Sequence, residues 1–168
     1  MTNSEYIWDY LHEQGVNHVF TLAGGGSMFL LDALGRNRRI SPVYCLHEQA
    51  VGIAAEAYAQ YKGLGVALVT TGPGGTNMVT PVVAAWIDST PLLVISGQVY
   101  SHQGIPPGSK MRQMGPQEVD IVSIVRPITK MACTVVNVQF YLPKAVEIAR
   151  EHRMGPVWLD IPLDVQSA

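Results

Sequence analysis

The chain has 168 residues, 48% of them apolar and 14% charged, with a formal net charge of −2. That length favours one domain able to close a single hydrophobic core, and charge well below the usual quarter or so leaves surface suited to meeting another protein. No basic run exceeds Arg36-Asn37-Arg38-Arg39, which disfavours nucleic acid or an acidic membrane as partner.

Asn3 or Ser4 can cap a first helix with Ile7, Trp8, Tyr10 and Leu11 on its inner face, stopped by Gly15. A short strand at 18–22 runs into Ala23-Gly24-Gly25-Gly26-Ser27, and a second helix follows at 28–34. Residues 42–46 read as the next strand and 48–61 as a strong helix. The continuous apolar run at 65–70 is that of a strand buried on both faces. Gly72-Pro73-Gly74-Gly75 ends it, and the pattern predicts a helix at 76–86 with a kink at Pro81. Residues 91–96 form another buried strand. From 98 to 116 there is no period, and Gly and Pro recur, as in a long functional or mobile loop. Within it, 106–110 reads as either solvated linker or lid. A helix at 117–125, a strand at 129–136, a helix at 140–152 and a strand at 156–160 complete the chain.

This alternation predicts an α/β fold of three layers, α/β/α, around a mostly parallel sheet of about six strands. Ligands of such sheets bind beyond the carboxyl ends of the strands, here the loops after Leu22, Leu46, Thr70 and Ser96. No internal repeat or second domain interrupts residues 1–168, and the end at Asp160-Ile161-Pro162-Leu163-Asp164 is where a linker is expected to begin. Met1 to Glu5 has neither the basic nor the apolar part of a signal peptide. No apolar run approaches the roughly 18 residues of a membrane span. Cys45 and Cys133 stand apart, as reduced thiols packed in a cytoplasmic protein do. The five histidines lack metal-ligand spacing, and Val51 stands where HExxH needs its second histidine, so no metal site is expected in this chain.

Glu48 sits where a buried strand becomes a helix, between Leu46 and Ala50-Val51. It reads either as a first-turn glutamate favoured by the helix dipole or as a carboxyl held protonated near neutrality by an apolar pocket. The two glycine-rich turns permit tight packing or close approach to a ligand, and neither matches a dinucleotide or P-loop fingerprint. The small residues Ala50, Gly52, Ala54, Ala55, Ala57 and Ala59 suit packing within the domain or a dimer contact.

Together these residues make a recognisable set. His47-Glu48-Gln49-Ala50, Thr71-Gly72-Pro73-Gly74-Gly75-Thr76-Asn77, Asp88-Ser89-Thr90-Pro91-Leu92 and Ile95-Ser96-Gly97-Gln98-Val99 occur in this order. Gln117-Glu118-Val119-Asp120, Arg126-Pro127-Ile128-Thr129-Lys130 and Gly155-Pro156-Val157-Trp158-Leu159-Asp160-Ile161-Pro162 follow them. The whole chain thus resembles the pyrimidine-binding, N-terminal domain of thiamine-diphosphate-dependent enzymes of the acetolactate synthase-like group.

The resemblance implies that Glu48 is the catalytic acid, hydrogen-bonded to N1′ of the cofactor's aminopyrimidine so that the ring's imino nitrogen can take the C2 proton. It implies that Glu48, Thr71, Pro73, Asn77 and Gly24 contact the cofactor, and that Ala23 and Gln117 lie near a 2-keto acid substrate. Ala23 replaces the group's usual proline and Pro116 its usual phenylalanine, which puts acetolactate itself in doubt as product. The Gly-Asp-Gly motif with its downstream Asn is absent. Mg2+ and the diphosphate are therefore expected on a complementary domain or subunit, and the group's flavin-contacting middle domain is missing too. The implied protein is a lyase or carboligase, incomplete as this chain alone and forming a homo-oligomer through the pyrimidine domain. The alternatives are a non-catalytic orphan binding or assembly module of the same fold and a nucleotide-binding α/β domain.

Overall fold

Helix and strand alternate throughout the computed structural model, which describes every residue except Pro107. That residue belongs to the expected linker or lid at 106–110, so this part of the expectation lies outside the described residues. The first helix, α1 (Asn3–Glu13), is capped by Thr2 rather than by Asn3 or Ser4. Thr2 accepts from the Glu5 N–H while the Glu5 carboxylate accepts from the Thr2 N–H, a reciprocal capping box. Asn3 and Ser4 instead donate to the carbonyls of Val165 and Gln166, which ties the two ends of the chain together.

Next come β1 (His18–Thr21), α2 (Met28–Arg36), β2 (Ser41–Tyr44), α3 (Glu48–Lys62) and β3 (Gly65–Val69). The His47 ring caps α3 by accepting from the Gln49 N–H, and Gly63 closes it at φ 85°, a conformation that suits glycine.

The helix expected at 76–86 is two helices, α4 (Pro73–Asn77) and α5 (Val79–Asp88), joined at Met78. The interruption lies three residues before Pro81, which stands in the first turn of α5, where its missing N–H needs no partner. Its ring packs on α3: a Cβ at Gly52 would lie 2.3 Å from Pro81 Cγ. Gly52, Ala55 and Ala59 are buried while Ala50 and Ala57 face outward, so the small residues chiefly serve packing within the domain.

After β4 (Leu92–Gln98), the helix expected at 117–125 shrinks to α6 (Ile121–Val125). Gln117 has φ 58°, which no right-handed helix admits, and Asp120 caps α6 by accepting from the Ser123 N–H at 3.0 Å. The chain ends with β5 (Met131–Thr134), α7 (Val138–Arg150), β6 (Val157–Pro162) and α8 (Leu163–Ser167). Thr129 donates to the Val125 carbonyl and the Lys130 ammonium to the Ile148 and Glu151 carbonyls, so that motif closes helix ends.

The six strands form one sheet in the order β2-β1-β3-β4-β6-β5, every pair parallel. From β1 the chain steps outward to β2 and then back past β1 to β3. Right-handed crossovers therefore put α2 and α3 on opposite faces. One face carries Ile7, Trp8 and Leu11 of α1, Leu30 and Leu34 of α2, and Leu142 of α7. The other carries Val51 and Ala55 of α3, Val82 of α5 and Ile121 of α6. Each fully buried leucine contributes roughly 1.5–3 kcal/mol. Because all strands run one way, their carboxyl ends share one edge, and the chain reverses direction across the sheet at β1/β3 and again at β4/β6. Among the described residues, no helix is long and apolar enough to cross a membrane.

Candidate functional site

Such sheets take ligands beyond the strand ends at a reversal like that of β1/β3. Three segments meet there: the turn after β1, the head of α3, and the Thr70-to-Asn77 turn after β3. Glu48 is the first residue of α3 and half-buried. Its Oε2 accepts from Asn77 Nδ2 at 2.9 Å, and among the described residues its Oε1 has no hydrogen-bond partner. A Cβ at Gly74 would stand 3.7 Å from that Oε1, an ordinary contact, and 2.9 Å from Thr70 Cγ2, so the bare glycine lets Thr70 pack against this turn. The chain alone does not supply the apolar enclosure expected around Glu48, since neighbouring Leu46 is fully exposed and Tyr44 is 62% exposed.

The turn after β1 is pressed onto β3 and β4 by glycines with no room for a side chain. A Cβ at Gly24 would fall 2.4 Å from Thr70 Cβ, one at Gly26 would fall 1.9 Å from Thr71 Oγ1, and one at Gly97 would fall 2.0 Å from the Gly26 carbonyl oxygen. The Gly26 N–H donates to Thr70 Oγ1 at 3.0 Å, and Thr71 Oγ1 donates to the Gly97 carbonyl at 2.9 Å. Gly72, at φ 62°, lets the Gln117 backbone lie against it: a Cβ there would be 1.9 Å from the Gln117 carbonyl oxygen.

The expected residues thus fall into two groups. Glu48 and Asn77 touch each other. Gln117 and the buried Thr71 line a pocket of about 300 Å³ with Gly25, Gly26 and Met28. Gly24 sits beside Thr70 between the groups, while Ala23 and Pro73 are exposed and line neither that pocket nor the Glu48–Asn77 contact. Thr70 is a residue that sequence reasoning passed over. It touches the Cβ positions of both Gly24 and Gly74 and holds the Gly26 N–H. A second hydroxyl beside Thr71 at the end of an apolar strand was its only signal.

Asp160 was passed over as well. It sits at the second reversal, 2% exposed, on a cleft of about 550 Å³ under the loop after β4. Ser96 Oγ donates to its Oδ1 at 2.5 Å and Gln98 Nε2 to its Oδ2 at 2.9 Å, while Trp158 Nε1 donates to Ser96 at 2.8 Å. Burial pushes the Asp160 carboxyl up to about 7, against the pull of those two hydrogen bonds and with a further push from Asp120. Burial, and then the Asp160 charge, push the Cys133 thiol up to about 11. Among the described residues, no group of three or more His, Cys, Asp or Glu is placed to hold a metal ion.

Residues 1–124 match the family model described as the thiamine pyrophosphate enzyme N-terminal TPP-binding domain. The chain is 40% identical to the mitochondrial acetolactate synthase catalytic subunit of Aspergillus candidus, over 98% of this chain and 23% of that protein. It is 39% identical to the mitochondrial acetolactate synthase of Schizosaccharomyces pombe, over 99% of this chain and 24% of that one. It is 38% identical to the acetolactate synthase isozyme 1 large subunit of Escherichia coli, over 99% and 29% respectively. The chain therefore spans between 23% and 29% of the length of these relatives.

Proposed function

The chain belongs to the family of N-terminal TPP-binding domains of thiamine pyrophosphate enzymes, and from that premise we propose that residues 1–168 form one pyrimidine-binding domain of a thiamine-diphosphate-dependent lyase or carboligase acting on a 2-keto acid. One observation carries the reading: Glu48 stands at the β1/β3 reversal with Oε2 held by Asn77 and, among the described residues, Oε1 without a hydrogen-bond partner. That arrangement fits a flat heterocycle with a ring nitrogen to be hydrogen-bonded. Bound thiamine diphosphate supplies a thiazolium that takes up the electron pair released when carbon dioxide leaves.

This chain's share of the chemistry is to move one proton and shape the approach. Glu48 holds the proton at the pyrimidine N1′ through Oε1, and Asn77 fixes the carboxyl's rotation. Gly24 lets the ligand come close to backbone, and Thr71 and Pro73 border the ring. Ala23 and Gln117 face the substrate. Mg2+ and the diphosphate belong to a complementary domain or subunit. Exposed Tyr44, Leu46 and Ile53 near the head of α3 support assembly into a homo-oligomer. The two free cysteines support a cytoplasmic location.

The test is Glu48→Gln with the complementary domain supplied. Glutamine keeps the size and can still hydrogen-bond N1′, but it cannot transfer a proton to it. Deuterium exchange at C2, followed by quenched NMR at matched cofactor saturation, should slow by about 10²- to 10⁴-fold. Stability should change by less than about 1 kcal/mol. Equal exchange rates in wild type and variant would leave a non-catalytic module of the same fold.

A further inference from the structure

We propose that Glu118 is a positioning residue: it gathers the loop after β4 and thereby fixes Gln117 in the lining of the pocket that this loop forms with the turns after β1 and β3. The inference rests on the proposed function for what Gln117 faces, while the geometry of the clamp stands by itself. Glu118 Oε1 accepts from the Ile105 N–H at 2.5 Å, and its Oε2 accepts from the Met114 and Gly115 N–H groups at 3.0 and 3.1 Å. One carboxylate thus binds residues at both ends of the stretch 105–115, whose described residues belong to no helix or strand. On the other side, the Val119 carbonyl accepts from Gln98 Nε2, the same nitrogen that serves buried Asp160.

Gln117 lies next to this clamp. Its φ of 58° is a conformation that a non-glycine residue holds only where its surroundings impose it. Its carbonyl is pressed against Gly72, and the residue lines the pocket with Gly26 and Thr71. Loss of the clamp would release both the loop and the imposed backbone angle. Both oxygens of Glu118 are taken by backbone donors, so the carboxylate acts through its neighbour and not on substrate.

The experiment compares Glu118→Gln, Gln117→Ala and the double variant in the complete enzyme, with its diphosphate-binding part. Glutamine puts an NH2 group where one carboxylate oxygen accepted, so part of the clamp opens. Backbone amides of 105 and 114–115 should lose hydrogen-exchange protection in Glu118→Gln. KM for the 2-keto acid should rise about 10-fold with a much smaller change in kcat, as expected for a misplaced binding group. C2 exchange should slow far less than in Glu48→Gln. The double variant should be no worse than Gln117→Ala, since both changes act through one side chain. Additive losses, an unmoved KM or unchanged amide protection would each overturn the proposal. If wild type fails to exchange C2, the proposed function falls, and amide protection still decides whether the clamp exists.

Discussion

Replacing Asp160 with Asn should change how stability depends on pH. The carboxyl is buried at the end of β6 and pushed up to about 7 from an ordinary 3.8. In the unfolded chain it loses its proton near the ordinary value, while in the native state it keeps the proton until near neutrality. Between those limits the native state binds more protons, so stability falls as pH rises through this window and levels off above it. A shift of about three units corresponds to roughly 4 kcal/mol as an upper bound. Cys133, at about 11, stays a neutral thiol throughout and adds nothing. Asn removes the charge and keeps one acceptor for Ser96 or Gln98, and losing the other costs about 1–3 kcal/mol. That cost is close to constant with pH, so the diagnostic quantity is the change in the wild-type-to-variant difference. Urea unfolding from pH 4.5 to 8 should show the variant gaining on wild type by up to about 3 kcal/mol, the rest of the shift falling below that range. Parallel profiles, with the difference constant within about 0.5 kcal/mol, would mean that Asp160 titrates as an ordinary exposed carboxylate and would refute the reasoning.

Gly97→Ala places a methyl carbon 2.0 Å from the Gly26 carbonyl oxygen, backbone that cannot swing aside. It should destabilise the chain by about 1–3 kcal/mol in urea unfolding and displace the turn after β1. Asn77→Ala removes the one side-chain hydrogen bond that, among the described residues, orients the Glu48 carboxyl. It should cost about 0.5–1.5 kcal/mol of stability, and C2 exchange in the complete enzyme should drop by less than it does in Glu48→Gln.

What the sequence made legible was whatever depends on neighbours along the chain. β3 and β4 could be read directly because strands covered on both faces must be apolar throughout. The position of Glu48 at the head of α3 followed from the same local grammar. The break at Met78 was hidden because that residue keeps near-helical angles, φ −81° and ψ −9°, and only its i−3 hydrogen bond to Gly75 marks the joint. The short α6 was missed for a different reason. Glu118 has good helix propensity, but its carboxylate is claimed by Ile105, thirteen positions back, and no window along the chain carries that bond. Asp160 looked like the polar end of a strand. It is buried because register sets it opposite Ser96 of β4, a non-local fact.

The half-exposure of Glu48 follows the same logic. A carboxyl that is to pass a proton to a bound heterocycle needs water kept away, because exclusion strengthens every interaction inside the site. This chain fixes the rotation of the carboxyl through Asn77, yet leaves Leu46 entirely uncovered beside it. A leucine of that exposure, two residues from the group that on the proposed reading does the chemistry, weakens the case for a site complete within the chain. On the same reading the missing wall is a second polypeptide surface laid over Tyr44 and Leu46. The homo-oligomer that covers these residues would then also bring the dryness, and Glu48 would become a working acid only on assembly.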